Sequence, residues 1–170
     1  MAIAVRIATP EDIGCLIPLI LAFRNAGDDF PTEESLQSDL PRLIADQDTE
    51  FFIAGSPSHP CLGFLQQRYR HTLWLSAPEA YIEDLFVAQD ARRQGIGRCL
   101  VEFAVERARS RGCPVISLDT TERNEGAVRL YQGLDFSLRS ERSGLRLLLR
   151  RWLGTGPPPW QRPNSPAAGS

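Results

Sequence analysis

Histidine is scarce, with only His59 and His71 in 170 residues. The four cysteines, Cys15, Cys61, Cys99 and Cys113, form no C-x-x-C pair and stand beside no histidine cluster. That excludes the usual structural and catalytic metal patterns, and no metal site is expected. Cys15 and Cys99 fall within apolar helical runs, where a cysteine behaves as a small hydrophobe, so free thiols in a reducing cytoplasm are the expectation. Long hydrophobic runs are missing too. The longest, residues 13–23, is about half of the ~20 residues a membrane span needs and is interrupted by Pro18. No secretory pattern precedes the first strand, so a soluble, cytoplasmic protein without a membrane partner is expected. There is no excess charge of one sign: the net charge is -2, which gives no general attraction to nucleic acid. No internal repeat is evident.

What is present is an ordinary globular composition, 42% apolar and 24% charged, in a chain long enough for one domain with one core. The domain is read as residues 1–153. Residues 154–170 carry Pro157, Pro158, Pro159, Pro163 and Pro166 with several Gly and Ser, and read as a flexible tail unable to build a core. Trp160 is the one tail residue able to dock it.

In chain order, residues 2–7 alternate weakly as a first strand. Thr9-Pro10-Glu11-Asp12 then supplies a cap, a proline at the first helical position and an acidic turn. Pro18 predicts a kink or two short helices rather than one rod running to residue 26. Residues 28–50 hold eight acids, Asp28, Asp29, Glu33, Glu34, Asp39, Asp46, Asp48 and Glu50, against the single base Arg42. Within them residues 32–45 form a second helix with Leu36, Leu40, Leu43 and Ile44 as its apolar stripe. Residues 50–54 and 61–69 read as an antiparallel strand pair around a Gly- and Pro-punctuated turn. Residues 72–80 read as a connection, with Trp74 at an edge of the cleft.

The chain is organised around residues 81–97. Tyr-Ile-Glu-Asp-Leu-Phe-Val, residues 81–87, is rich in aromatic and β-branched side chains and predicts a strand; Ile96, Leu100, Phe103, Ala104 and Ala108 recur at helical spacing. Between them Gly95 and Gly97 let a ligand approach the backbone, the N–H groups of the first helical turn point at that spot, and Arg92, Arg93 and Arg98 surround it with cations. Glu83 and Asp84 sit in the strand just before, where an unpaired charge is costly to bury. Alternation places Glu83 with Tyr81 and Leu85 on one face and Asp84 with Ile82 and Phe86 on the other. The helix ends near Arg111, with Gly112 at its C′ position. A short strand at 115–118 completes a right-handed βαβ crossover, so it is parallel to the strand before the loop. A helix over 124–134 and a hairpin of 136–139 with 145–152 complete the chain.

The run Arg92-x-x-Gly95-x-Gly97 resembles the acyl-CoA loop of the GNAT superfamily of acetyl-CoA-dependent N-acetyltransferases. The order of elements fits over roughly residues 4–152. The resemblance implies an α/β (α+β) fold with a mixed central sheet of six to seven strands flanked by about four helices. It also implies acetyl transfer from acetyl-CoA to a primary amine by direct attack. It makes Gln94, Gly95, Ile96, Gly97 and Arg98, with Arg92 and Arg93, the pyrophosphate site, and the backbone of Leu85, Phe86 and Val87 the partner of the pantetheine amides. Asn124 is implied to hydrogen-bond the cofactor arm. Glu83 is the first candidate for the base that the amine needs, with Asp84 behind it, and Tyr131, in its Leu-Tyr context, is the candidate acid. One departure stands out: Asp135 occupies the position where the family carries glycine after this tyrosine, and aspartate visits the left-handed conformation only at some cost.

The resemblance also makes the first two helices a wall of the substrate site. The acidic run is then either a solvated face or a recognition surface for a cationic small molecule such as a polyamine or aminoglycoside, and a peptide or protein amine would look the same. Homodimers are common in the superfamily, and no patch in this sequence specifies one. Two rivals stand beside this reading. A GNAT-like module could bind acyl-CoA without turnover. Gly95-Ile96-Gly97 also begins a dinucleotide-binding fingerprint, with Asp119 as the ribose acid, but Leu100 stands where its third glycine belongs.

Overall fold

The computed structural model describes residues 3–24, 31–137, 139–140 and 144–145. Alternation along the middle strands sets up two cores. In β2 (Thr49–Ser56) Phe51 and Ile53 join one cluster and Phe52 and Ala54 the other, and in β3 (His59–Thr72) Phe64 and Leu65 divide the same way. A sheet built of such strands is apolar on both faces and has to be covered on both. Helices α1 (Ile13–Phe23) and α2 (Glu33–Ala45) cover the first face, packing Leu16, Leu19, Leu36 and Leu40 against Phe51, Ile53, Phe64 and Phe86. Helix α3 (Ile96–Ser110) covers the second with Ile96, Leu100, Val101 and Ala104, each at most 1% exposed. Burial on that scale contributes roughly 1.5–3 kcal/mol for each large aliphatic side chain.

The sheet runs β1-β2-β3-β4-β5, with β1 at Ala4–Ile7, β4 at Ala77–Val87 and β5 at Val115–Leu118. The first four strands are antiparallel neighbours. The β4–β5 pair, joined through α3, is parallel, as the crossover requires. Helix α4 (Glu125–Gln132) follows, and β6 (Arg139–Ser140) pairs with β7 (Gly144–Leu145) in a separate ladder. The mixed α/β architecture is the one expected. The central sheet has five strands among the described residues rather than six or seven, the last two forming their own ladder. Most of the expected 136–139/145–152 hairpin, residues 25–30 of the expected helix end and the acidic run, and the 154–170 tail lie outside the described residues.

Local chemistry explains the element ends. The Thr32 hydroxyl accepts from the Ser35 amide at 3.1 Å while Ser35 Oγ accepts from the Thr32 amide, a reciprocal cap for α2. Gly112, at φ +74°, terminates α3 in the left-handed conformation expected of it.

Four expectations are corrected. Cys15 and Cys61 are not free thiols: they form a disulfide that ties α1 to β3, because the fold brings to a Cα separation of 6.1 Å two cysteines 46 residues apart in sequence. Cys99 and Cys113 are free. Second, of the kink and the two short helices expected at Pro18, the two helices are excluded: Pro18 lies inside one continuous helix. Pro18 and Gly14, the residue whose carbonyl would otherwise receive an amide from position 18, are both exposed, so the missing hydrogen bond falls on the solvent side of the helix. Third, the connection expected over 72–80 is only the turn at 73–76, because residues 77–80 pair with β3; Trp74 sits at the hairpin tip, 98% exposed, at the opposite end of β4 from Val87. Fourth, the simple alternation of Glu83 and Asp84 fails. Gln67 pairs with Ile82 and Gln66 with Asp84, so Glu83 is the extra residue of a β-bulge. Ile82 and Leu85, three residues apart, consequently share the α3 face, while Phe86 packs under α1.

Candidate active site

The bulge falls where the sheet forks. The β4–β5 register ends at Ile82 opposite Leu118, and among the described residues β4 continues through residues 83–87 paired only with β3. Among the described residues the far edge of Leu85, Phe86 and Val87 meets no strand, which makes it a template for an extended, amide-bearing ligand.

At the end of that edge the chain turns through a short 3-10 segment (Gln89–Ala91) into the glycine loop. Gly95, at φ +82°, takes the left-handed conformation that starts α3, and Ile96, 1% exposed, anchors the helix in the core. At Gly97 a Cβ would stand 3.4 Å from Leu130, so the first turn of α3 lies close against α4. The unpaired N–H groups of this turn, with the helix dipole, form an anion site. The cations around it are differently engaged. Arg92 donates through Nε to the Val87 carbonyl at 3.1 Å and lies over the Phe86 ring, bracing the loop onto β4. Arg98 reaches the Gly133 carbonyl at 3.2 Å and pairs with Glu102, bracing α3 to the end of α4. Arg93 is exposed with φ +60°, and Gln94 donates to the Asp90 carbonyl at 3.3 Å. All 19 cationic residues of the chain are arginine. A guanidinium meets phosphate oxygens with paired donors and stays protonated, so it does not compete as an acetyl acceptor.

The two strand carboxylates differ sharply. Glu83, on the bulge, is exposed; Asp84 is half-buried, and burial, then the charges of Glu83 and Asp119, push its carboxyl up. Asp119 follows directly on β5 and so stands opposite the bulge, where its carboxylate accepts a hydrogen bond from the Tyr81 hydroxyl across the two strands. Below this, Glu79, 7% exposed, accepts from Arg70 at 3.1 Å and from the Ser117 hydroxyl at 2.5 Å. The Arg70 guanidinium also lies over the Tyr81 ring, and burial, then the Asp119 hydrogen bond, push the Tyr81 hydroxyl up to about 12. A single sequence could not reveal these pairings, because each joins residues from different strands. The one signal was an acid at the end of the second βαβ strand.

Tyr131 lies in the same cluster as Leu85, Val87 and Ile96, 9% exposed and 5.7 Å from the Phe136 ring, and burial pushes its hydroxyl up to about 12. The turn that positions it survives the missing glycine: Asp135 takes φ +63°, and the Phe136 amide returns to the Tyr131 carbonyl at 3.0 Å. Asn124 caps α4, its Oδ1 accepting from the Ala127 amide at 3.3 Å, which leaves its amide NH2 for another acceptor.

The acidic run is dispersed. Glu33, Glu34 and Asp39 are exposed on α2, and Asp46 caps the turn into β2 through the Thr49 hydroxyl at 2.7 Å. Glu50 is bound by Arg107, Arg111 and the Tyr69 hydroxyl. Burial alone would raise its carboxyl, but the Arg107 and Tyr69 hydrogen bonds overcome this and hold it below the usual range.

A forked mixed sheet with a glycine-opened anion site at its mouth is the architecture of acyl-CoA-binding transferases. The acetyltransferase (GNAT) family profile matches residues 20–136, and the chain belongs to that family. An aminoglycoside N(6')-acetyltransferase type 1 from Stenotrophomonas maltophilia is 30% identical over 135 residues, 78% of this chain and 84% of that protein. A thialysine N-epsilon-acetyltransferase from Bos taurus is 30% identical over 91 residues; the match spans about half of each protein, 53% in both. Among solved structures, AAC(6')-Iy in complex with the bisubstrate analog CoA-S-monomethyl-acetylneamine superposes with a TM-score of 0.74 at 19% identity, covering 89% of this chain and 99% of that one. That likeness is one of fold.

Proposed function

We propose that this protein is an acetyl-CoA-dependent N-acetyltransferase acting on a primary amine, with a cationic small molecule of the polyamine or aminoglycoside kind as acceptor. The observation that carries it is the open edge of residues 83–87 leading directly into the Gly95/Gly97 anion site, with a half-buried carboxyl beside it. The residues fit the cofactor. Leu85, Phe86 and Val87 would pair with its amides, the N–H groups around Gln94 to Arg98 and the side chains of Arg92, Arg93 and Arg98 would hold its phosphates, and the Asn124 amide would meet its arm. Bound acetyl-CoA supplies an activated acetyl thioester.

An alkylammonium with a pKa near ~10 has to lose a proton before it attacks. Glu83 and Asp84 are the two candidates for that task. Glu83, exposed on the bulge, suits first attraction of the ammonium. Asp84, with its raised proton affinity, suits acceptance of the proton, directly or through water, because a base works best when its pKa approaches the working pH. Tyr131, whose hydroxyl burial pushes up to about 12, stays protonated through the working range and would give its proton to the leaving sulfur.

Calorimetry with CoA and acetyl-CoA, followed by thiol release against a panel of polyamines, aminoglycosides, free amino acids and peptides, tests the reading. Binding and turnover on cationic small amines are expected. Binding with no turnover on any amine would leave an acyl-CoA-binding module; no binding would remove the proposal. Tyr131→Phe is expected to lower kcat by about 10- to 100-fold while leaving the CoA Kd within a factor of about two. Unchanged kcat would take Tyr131 out of the mechanism.

A further inference from the structure

We propose that Tyr81 and Asp119 form a positioning pair: the Tyr81 hydroxyl holds the Asp119 carboxylate across the β4–β5 fork, on the face carrying Asp84, so that a fixed negative charge stands beside the proton-accepting carboxyl. This rests on the reading of Asp84 as the base. The geometry is set by the backbone. Ile82 and Leu118 are the last opposed pair, both directed into the α3 core, so Tyr81 and Asp119, their chain neighbours, lie on the opposite face. The bulge at Glu83 returns Asp84 to that same face, together with Phe86. Under regular alternation Asp84 would instead share the face of Ile82, toward the α3 core. The bulge and the Tyr81–Asp119 hydrogen bond therefore converge on one carboxyl.

Among the described residues the groups facing Asp84 are these. From β4 come Glu83 and Tyr81, and from β5 Asp119. From β3 there are Gln66 opposite Asp84 and the exposed Arg68 opposite Tyr81, with Arg70 further down the strand and engaged by Glu79. Helix α1, which covers this face, carries no charged residue and presents Phe23 to Phe86. The charges that act on Asp84 are thus those of Glu83 and Asp119, while Arg70 is directed to Glu79. Two like carboxylates held together push the proton affinity of one of them up, and they do so most effectively when neither is free to swing away. A tyrosine hydroxyl aimed at Asp119 restricts that freedom and itself carries no charge.

Carbon-13 NMR titration of the Asp84 carboxyl in the protein without acceptor tests this. In Asp119→Asn, which keeps an oxygen for the Tyr81 hydroxyl but removes the charge, the Asp84 midpoint is expected to move to lower pH. The acid limb of kcat/KM is expected to move with it, with the acetyl-CoA Kd unchanged. Asp119→Glu is expected to restore most of the wild-type midpoint. Tyr81→Phe, which releases Asp119, is expected to move the midpoint in the same direction by less, and serves alone should Asp119→Asn fail to fold. A midpoint unmoved in Asp119→Asn, or in Tyr81→Phe where only that variant folds, overturns the proposal. Because the titration needs no acceptor, loss of this pair's role and absence of transferase activity are separate results: a midpoint that moves in a protein with no turnover supports the pairing and defeats the enzyme reading.

Discussion

The two halves of β4 are built for opposite purposes. Residues 79–82 are paired on both sides, and the one carboxylate among them, Glu79, is satisfied by Arg70 and Ser117. Among the described residues, 83–87 are paired only with β3, and their half-buried carboxyl, Asp84, is surrounded by influences that all raise it. One strand thus passes from a closed, compensated half to an open, uncompensated one within a single bulge. Backbone groups and charges left unmatched in the second half are costs to the fold, and they persist where a ligand is to meet them.

The largest expected effect breaks the open half. Asp84→Asn should lower kcat by about 10²- to 10⁴-fold, with the CoA Kd unchanged by calorimetry. It should also raise the melting temperature, since a carboxyl whose proton affinity is raised by folding costs stability whenever it is ionised. A melting temperature below that of the wild type would mean Asp84 is structurally compensated after all. Glu83→Gln at full loss with Asp84→Asn active would reverse the two roles.

Next in size is the staple that holds α1 over the open half. The Cys15–Cys61 disulfide closes a loop of sequence separation 46, and in the chain-entropy picture such a loop stabilises by about 4 kcal/mol. Unfolding of Cys15→Ser/Cys61→Ser in urea should show that loss, with Phe23 and Phe86 the contacts most exposed to the consequence.

The closed half should respond in the reverse sense to the open one. Glu79→Gln removes the charge that Arg70 and Ser117 are arranged to meet, and is expected to cost about 1–3 kcal/mol while kcat per folded molecule stays within a factor of about two. Lost turnover with unchanged stability would place Glu79 in the chemistry.

The smallest effect is a control remote from the fork. Asp12 is held down to about 2, first by its hydrogen bonds from Arg6 at 2.6 Å and then by the Thr9 amide. Its folded value lies below its unfolded one, so its contribution is complete above about pH 4 and is lost as pH falls toward 2. Asp12→Asn should flatten the acid side of the stability curve over that window and leave kcat unchanged.

Much of the site was legible in the chain because it is local. Arg92-x-x-Gly95-x-Gly97, the helical period from Ile96 to Ala108, and the strand of residues 81–87 each depend on neighbours within a few residues, and so does the tolerance of Asp135 for a left-handed turn. What only the tertiary structure decided were relations between distant segments: the meeting of Cys15 with Cys61, the closing of β3 and β4 down to a four-residue turn, and the binding of Glu50 by Arg107 and Arg111. The bulge at Glu83 belongs with them, because register is a property of two strands and no alternation read along one of them contains it. The residue types at the fork were written in the sequence; which carboxyl was half-buried and which was exposed awaited its pairing with β3.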